Sequence, residues 1–294
     1  NSYSQSTYLY LQEFSMEIIN VKYVASDGVV SRGDAYGDPA HPPIVFLHGG
    51  GQTRHSWGDT ARKVATEGWH VINVDSRGHG ESDWCPDGDY TTDGFVRDLT
   101  AIAEQLKQAP VVVGASKGGI TALATEGENP GLLRSLILVD VTPKVEAKGV
   151  SRILDFMTAK PEGFDTLEEV AESVASYTGR KRTTNLEGIR KNVRQNESGR
   201  YVWHWDPKMV NSALGEGLDK RAIRLMEAAR NLTAPTLLVR GEKSDVVSAQ
   251  GVQEFREAVS HAEFIDVKEA SHMVAGDQNT VFSDAVIDFI NRLD

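Results

Sequence analysis

Short runs of branched and aliphatic residues recur along the chain: "MEIINVKYVA" from Met16, "PPIVFLHG" from Pro42, "WHVINVDSRG" from Trp69, "PVVVGAS" from Pro110, "LRSLILVDVT" from Leu133, "APTLLVRGE" from Ala234 and "AEFIDVKEASH" from Ala262. Several are apolar at consecutive positions rather than every second one, the pattern of strands covered on both faces. Helix-patterned stretches separate them. Strands alternating with helices predict an α/β protein, a mainly parallel sheet with helices on both faces.

That rhythm breaks between about Pro143 and Leu232, where the chain turns polar, charged and helical in pattern. In "DTLEEVAESVASY", Thr166 and Glu169 stand at capping-box spacing, and Leu167, Val170, Ala171 and Val174 recur on one helical face. The reading is a core in two parts, 16–143 and 233–294, interrupted by a helical insertion over 144–232. It is preceded by an extension, residues 1–15, that the fold does not need. The chain closes with the amphipathic run "TVFSDAVIDFINRL", and no internal repeat or low-complexity segment stands out.

Chemistry concentrates around one serine. Gly114, Ser116 and Gly118 make G-x-S-x-G directly after a strand and before the helix-like "ITALATEG", the context of a nucleophile elbow. A strand turning sharply into a helix strains the serine backbone, and glycines two residues to either side remove the side chains that would clash. Serine needs a base to become a nucleophile. An acid and a histidine follow in the order Ser, Asp, His: Asp245 in "GEKSDVV" and His272 in "EASHMV", each just past the end of a predicted strand. Asp140, which ends "LILVD", competes with Asp245; the open loop around Asp245 favours the latter, with Asp140 capping the exit to the insertion. Upstream, "FLHGGGQTRHSW" offers bare backbone for an oxyanion hole. The expected donors are the amides of Gly50 and of Lys117, the residue after the serine, with Gly51 as the close rival.

Taken in order, "HGGG", "DSRGHGES", "GASKGG", "GEKSD" and "EASHM" resemble the α/β-hydrolase superfamily, in its form with a helical lid between the sixth and seventh strands. The resemblance covers nearly everything from Met16 to Asp294. It implies an eight-stranded, mostly parallel sheet with one early antiparallel strand and a helical lid insertion. The stretch like "DSRGHGESD" is a structural loop in that family, so His79 is not a catalytic candidate. Related dehalogenases and epoxide hydrolases carry aspartate at the elbow, and Ser116 argues against both reactions.

Composition narrows the partners. A formal charge of −11 with no basic run disfavours nucleic acid and anionic membranes, and no apolar run approaches the length of a bilayer span. Cys85, the single cysteine, excludes an internal disulfide and any cysteine-clustered metal site. No H-E-x-x-H or EF-hand pattern implies a metal, and no cofactor is expected. Asp75, alone at a strand end, reads as a loop anchor. The reading is a cytoplasmic protein of undetermined oligomeric state.

"GASKGGI" together with Tyr177 and Lys181 at Y-x-x-x-K spacing also suggests an NAD(P)-dependent short-chain oxidoreductase, but that glycine loop belongs after a first strand, and here it comes late. Trp203 and Trp205 in "YVWHWDP" are candidate pocket walls, or else pins holding the insertion to the body; Trp57 and Trp84 pose the same choice. The function expected is hydrolysis of small to medium carboxylic esters through Ser116, His272 and Asp245. A lactonase, a carbon–carbon bond hydrolase or a perhydrolase could use the same residues.

Overall fold

The computed structural model describes residues 17–277 and 279–293; the proposed 1–15 extension lies outside the described residues. In chain order the strands are β1 (Ile19–Val24), β2 (Val30–Tyr36), β3 (Pro43–Leu47), β4 (His70–Asp75), β5 (Val111–Ala115), β6 (Ser135–Val139), β7 (Val193–Gln195), β8 (Tyr201–Trp203), β9 (Thr236–Gly241) and β10 (Glu263–Val267). The helices are α1 (Gly58–Thr66), α2 (Thr92–Glu104), α3 (Lys117–Glu128), α4 (Ala147–Thr158), α5 (Leu167–Thr178), α6 (Leu186–Arg190), α7 (Lys208–Glu216), α8 (Leu218–Arg230), α9 (Ala249–Ala258), α10 (Val274–Asp277) and α11 (Asn279–Ile290).

Eight strands pair in the order β1-β2-β4-β3-β5-β6-β9-β10. The β2 strand runs antiparallel to both neighbours, and from β4 onward every pairing is parallel. Successive side chains leave a strand on opposite faces, which is why both faces of the central strands are apolar. Val45, Leu47, Val112, Leu136 and Leu238 face Leu99 and Ile102 of α2, Leu123 of α3 and Phe255 of α9. Ile44, Phe46, Val113, Ile137 and Val239 face Val64 of α1 with Phe282 and Val286 of α11.

Each predicted run holds a strand of this sheet; β2, "VSRGDAY", carries no apolar run and is not marked by the pattern, though it is the one early antiparallel strand that the resemblance implies. Its glycine is a packing requirement: a β-carbon on Gly33 would lie 2.4 Å from the Asn73 carbonyl oxygen on β4. Its Asp34 accepts from Arg54 Nε at 2.9 Å, in a buried ion pair.

Between β6 and β9 stand five helices and the β7–β8 hairpin, outside the main sheet. At the start of α5, Thr166 Oγ1 accepts from the Glu169 amide at 3.2 Å, as the capping box requires, while the Glu169 carboxylate accepts from Asp165 N–H rather than from Thr166. Val170 and Ala171 of the same helix are buried with Phe164, Trp203, Trp205 and Met209, in a third apolar cluster that also takes in Tyr90 and Phe95 from the body.

The loop after β4 is fastened by charge. Arg77 is wholly buried; its Nε and Nη2 each reach the Asp98 carboxylate of α2 at 2.7 Å, and Nη2 also reaches Asp27 at 3.0 Å. Asp75 accepts from the Arg54 amide, the Arg54 guanidinium and the Glu81 amide, so it anchors a loop as its isolated place suggested. Removing one partner of a buried pair strands the other. Arg77→Met should therefore cost about 3–5 kcal/mol in urea unfolding, and adding Asp98→Leu should recover part of that loss. A double variant no more stable than the single would refute the pairing argument.

Candidate active site

Ser116 sits between β5 and α3 with φ 47° and ψ −111°, a strained conformation for a residue with a side chain. Its backbone is held on both sides: the Ser116 amide donates to Val139 O on β6 at 2.9 Å, and its carbonyl accepts from Ile120 N–H at 2.9 Å. The flanking glycines are needed for contact rather than freedom. A β-carbon on Gly114 would lie 2.4 Å from Gly118 O, one on Gly118 would lie 2.3 Å from Leu47 O, and one on Gly119 would lie 2.4 Å from Val141 Cγ1.

Ser116 opens on a cavity of about 410 Å³ that is also lined by Gly50, Gly51, Lys117, Trp203, Trp205 and His272. Among the described residues no hydrogen bond joins Ser116 Oγ to His272; both side chains front the same space. His272 Nδ1 instead makes a 2.6 Å bond to Asp140 Oδ2. The His272 side chain is almost covered, and the Asp140 side chain is wholly so. Asp140 is fixed in turn by the Gly241 amide at 2.9 Å and Ser244 Oγ at 2.5 Å.

This corrects the preference for Asp245. Asp245 lies on the β9–α9 loop, but its carboxylate accepts from Arg152 Nε at 2.7 Å and Nη2 at 2.9 Å, a fork-to-fork pair with α4 of the insertion, and makes no hydrogen bond to His272 among the described residues. That hydrogen bonding from Arg152 lowers its carboxyl pKa. The reason is local geometry. Asp140 takes a positive φ of 48° at the end of β6, where the chain swings toward the insertion and its carboxylate falls under the His272 loop. A β-carbon on Gly149 would lie 2.3 Å from Asp245 O, so α4 packs directly on the loop and draws Asp245 to itself.

The three glycines divide their amides. Gly49 N–H donates to Gln52 Oε1 at 2.9 Å and Gly51 N–H to His79 Nε2 at 3.2 Å, while the Gly50 and Lys117 amides carry no partner among the described residues. His48 Nδ1 lies 2.8 Å from Gly49 O, and its Nε2 accepts from Ser76 N–H at 3.0 Å, so the proton is on Nδ1. Burial keeps the His48 pKa well below the usual histidine value.

Lys117 is divided between two environments. It borders the cavity, and its Nζ is buried without a hydrogen-bond partner among the described residues, 4.2 Å from the centre of the Phe95 ring. Desolvation by burial pushes the amine down to about 7.

Trp203 and Trp205 stack with centroids 4.8 Å apart and planes 12° apart, with Phe156 of α4 against both. Both are buried, and both reach the cavity. Trp205 Nε1 donates to Met157 O at 3.3 Å. Tyr177 stacks on Phe156, and the glycine loop lies late in the sheet, so the pair Tyr177 and Lys181 does not occupy a dinucleotide site. Trp57 is buried against Phe46 and Phe282 and also borders the cavity; Trp84 is exposed under the Arg194 guanidinium. Among the described residues no group of acidic, histidine or cysteine side chains could hold a metal ion, and no helix is long and apolar enough to cross a membrane.

Sequence reasoning missed the histidines behind the glycine loop. The signal was present in "HGGG", "RGHG" and "WHW", but nothing in their spacing shows that His48, His79 and His204 lie in series, the first pair edge-to-face and the second tilted, with ring centroids 4.8 Å and 5.8 Å apart.

Known proteins resemble the chain over most of its length. Esterase Rv0045c of Mycobacterium tuberculosis is 30% identical over 251 residues, covering 81% of this chain and 78% of that protein. The sn-1-specific diacylglycerol lipase ABHD11 of Mus musculus is 30% identical over 262 residues, covering 86% and 82%. The crystal structure of an alpha/beta hydrolase from Novosphingobium aromaticivorans superposes with a TM-score of 0.77 at 25% identity, over 92% of this chain and 98% of that one. The family model described as alpha/beta hydrolase fold matches residues 42–277, and with the eight-stranded sheet and the elbow described above, the chain belongs to the α/β-hydrolase family.

Proposed function

We propose that the protein is a serine hydrolase of carboxylic esters with a small to medium apolar acid or alcohol part, acting through Ser116, His272 and Asp140. One observation carries this reading: the 2.6 Å Asp140–His272 bond opens onto the cavity that Ser116 and two unengaged amides also line. An esterase and a diacylglycerol lipase among the relatives, both named for ester hydrolysis, support the same class.

In this reading His272 takes the Ser116 proton as the hydroxyl attacks the ester carbonyl, then returns it to the departing alcohol. Asp140, held by three donors, keeps the proton of the neutral imidazole on Nδ1, leaving Nε2 as the base, and stabilises the imidazolium. Water, activated by the same imidazole, then releases the acid from Ser116. The Ser116–His272 contact tightens when substrate binds, as such contacts commonly do. The developing oxyanion is received by the Gly50 and Lys117 amides. A peptide unit is planar and trans, so its C=O and N–H point in opposite directions. His48, by binding Gly49 O, aims the Gly50 amide of that same unit the other way.

The apolar lining supports an apolar acid or alcohol part. Ile153, Leu154, Phe156, Val174 and the two stacked tryptophans would shelter a hydrocarbon chain. Asp245 takes a different role here, joining the insertion to the body through Arg152.

The first test is a ranking of variants. Ser116→Ala should fold normally and lose at least ~10³-fold in kcat. Asp140→Asn should lose about 10⁴-fold by holding the wrong tautomer, whereas Asp245→Asn should change kcat by less than about tenfold. A serine-directed phosphonate should label Ser116 alone. Sharp loss in Asp245→Asn with a near-normal Asp140→Asn would return the acid to Asp245.

The second test concerns Trp205 and its stacked partner. Trimming either to alanine removes contacts worth roughly 0.8 kcal/mol per buried CH₂ of substrate, so the loss in kcat/KM should grow from acetate to octanoate esters. An equal loss at every chain length would make them pins for the insertion.

The third concerns Lys117. Its amine binds a proton with a pKa near 10.5 when unfolded and about 7 when folded. Between those values the unfolded chain holds more protons, so this group's contribution to stability rises with pH across the window. Lys117→Met should therefore stabilise the fold at pH 7 by on the order of a few kcal/mol, with the gain shrinking toward pH 10. Because the backbone amide remains, activity should persist. Urea melts at pH 7, 8.5 and 10 read the trend, and a pH-independent difference would disprove burial of a neutral amine.

A further inference from the structure

His79 of the body and His204 of the insertion meet beside the glycine loop, with ring centroids 5.8 Å apart. His79, on the loop after β4, directs Nδ1 to the Arg77 carbonyl at 3.0 Å, which leaves Nε2 free to accept from Gly51 N–H. His204 follows β8 in the insertion, and its Nδ1 accepts from the Gly80 amide at 2.8 Å. The same segment of the insertion grips that turn twice more: Asp206 N–H donates to Gly78 O at 2.9 Å, and Arg194 donates to Gly80 O. Tyr90 O–H closes the arrangement on Asp206 Oδ2 at 2.6 Å.

Both imidazoles are buried, His79 completely and His204 almost so. Burial holds His79 well below the ordinary histidine value and His204 down at about 3, so each keeps one bare nitrogen to accept an amide proton at any working pH. The loop touches the insertion directly as well. A β-carbon on Gly51 would stand 3.5 Å from Met157 Cγ and 3.5 Å from Trp205 Cζ3, and His204 packs edge-on against Trp205 at 5.2 Å.

We propose that His79 and His204 are positioning residues that transmit docking of the insertion to the glycine loop, so that the Gly50 amide faces the reacting carbonyl only while the insertion is seated. The proposal rests on the reading of Gly50 as an oxyanion donor. His204 holds the Gly78–Gly80 turn, the turn carries His79, and His79 fixes the Gly50–Gly51 peptide unit beside the donor. Neither imidazole touches substrate. Because a misplacement of about 1 Å at a reacting group costs up to ~10²-fold in rate, loosening either link acts on turnover more than on substrate affinity.

The test uses the full chain and three variants: His204→Ala, His79→Ala and His79→Gln, whose side-chain oxygen can replace Nε2 as acceptor. Hydrogen exchange of the peptide spanning residues 48–53 reads the loop, and kcat and KM on a butyrate ester read the consequence. Both alanine variants should speed exchange in that peptide and lower kcat by roughly tenfold or more, with KM within about twofold. His79→Gln should restore both. Unchanged exchange in His204→Ala overturns the coupling, and faster exchange with wild-type kcat overturns the positioning role. A merely structural role would lower the melting temperature and leave kcat, measured well below it, unaltered. Failure of the hydrolase reading has its own signature: turnover that survives Ser116→Ala, whatever the loop exchange does.

Discussion

The approach of α3 to the sheet sets the terms for everything around it. A β-carbon on Gly118 would sit 2.3 Å from the Leu47 carbonyl, so the helix can lie against β3 only where that carbon is missing. With α3 so close, the chain must reverse within one residue after β5, and Ser116 takes the positive φ that makes this possible. A side chain on such a residue stands clear of both elements. The same closeness puts the first amide of α3 beside the glycine loop, which leaves β3 at the Leu47 end. Strain at one serine and bare backbone at three glycines are thus consequences of one packing distance.

Charge burial does the fastening that apolar contact cannot. Arg54 and Arg77 are buried on the loops after β3 and β4, each shared among carboxylates from different elements. Such pairs add little net stability over apolar packing, but they specify where a loop lies, because a misplaced partner leaves a charge without solvent or counter-ion. The Asp140–His272 pair follows the same rule at the cavity, with Gly241 and Ser244 filling the remaining acceptor sites of the carboxylate. By contrast, the Arg152–Asp245 pair is well exposed, and it adds little stability of its own.

The insertion is fastened to the body by both kinds of contact. Its apolar cluster shares Tyr90, Phe95 and Met157 with the cavity wall, and some of its polar contacts fall on backbone groups of the turn at Gly78–Gly80. Apolar contact tolerates sliding, whereas a hydrogen bond to a buried amide does not. A segment docked in this way lines the cavity and, in the proposal above, also sets the geometry of a donor it never touches.

Much of this was legible in the linear chain because it is local. Consecutive apolar residues mark strands covered on both faces, a capping box marks the start of α5, and glycines around Ser116 mark a turn too tight for side chains; each depends on residues within a few positions of one another. What lay beyond reach depends on approach in space. Strand β2 has no apolar run, since its place comes from register with β4 and from the space Gly33 leaves. Which of Asp140 and Asp245 meets His272 was open because both follow strand ends; in space His272 bonds Asp140, while Asp245 pairs with Arg152 of the insertion. The buried histidines show the same limit, as His79 and His204 are far apart in the chain and acquire meaning only when Gly51 and Gly80 present amides to them. Sequence alone determined the fold class and the candidate nucleophile, because strand pattern and turn chemistry are short-range. Tertiary structure decided the partner of His272 and the support of the glycine loop, because hydrogen bonds select by distance and direction in space, and neither is written in the spacing of residues.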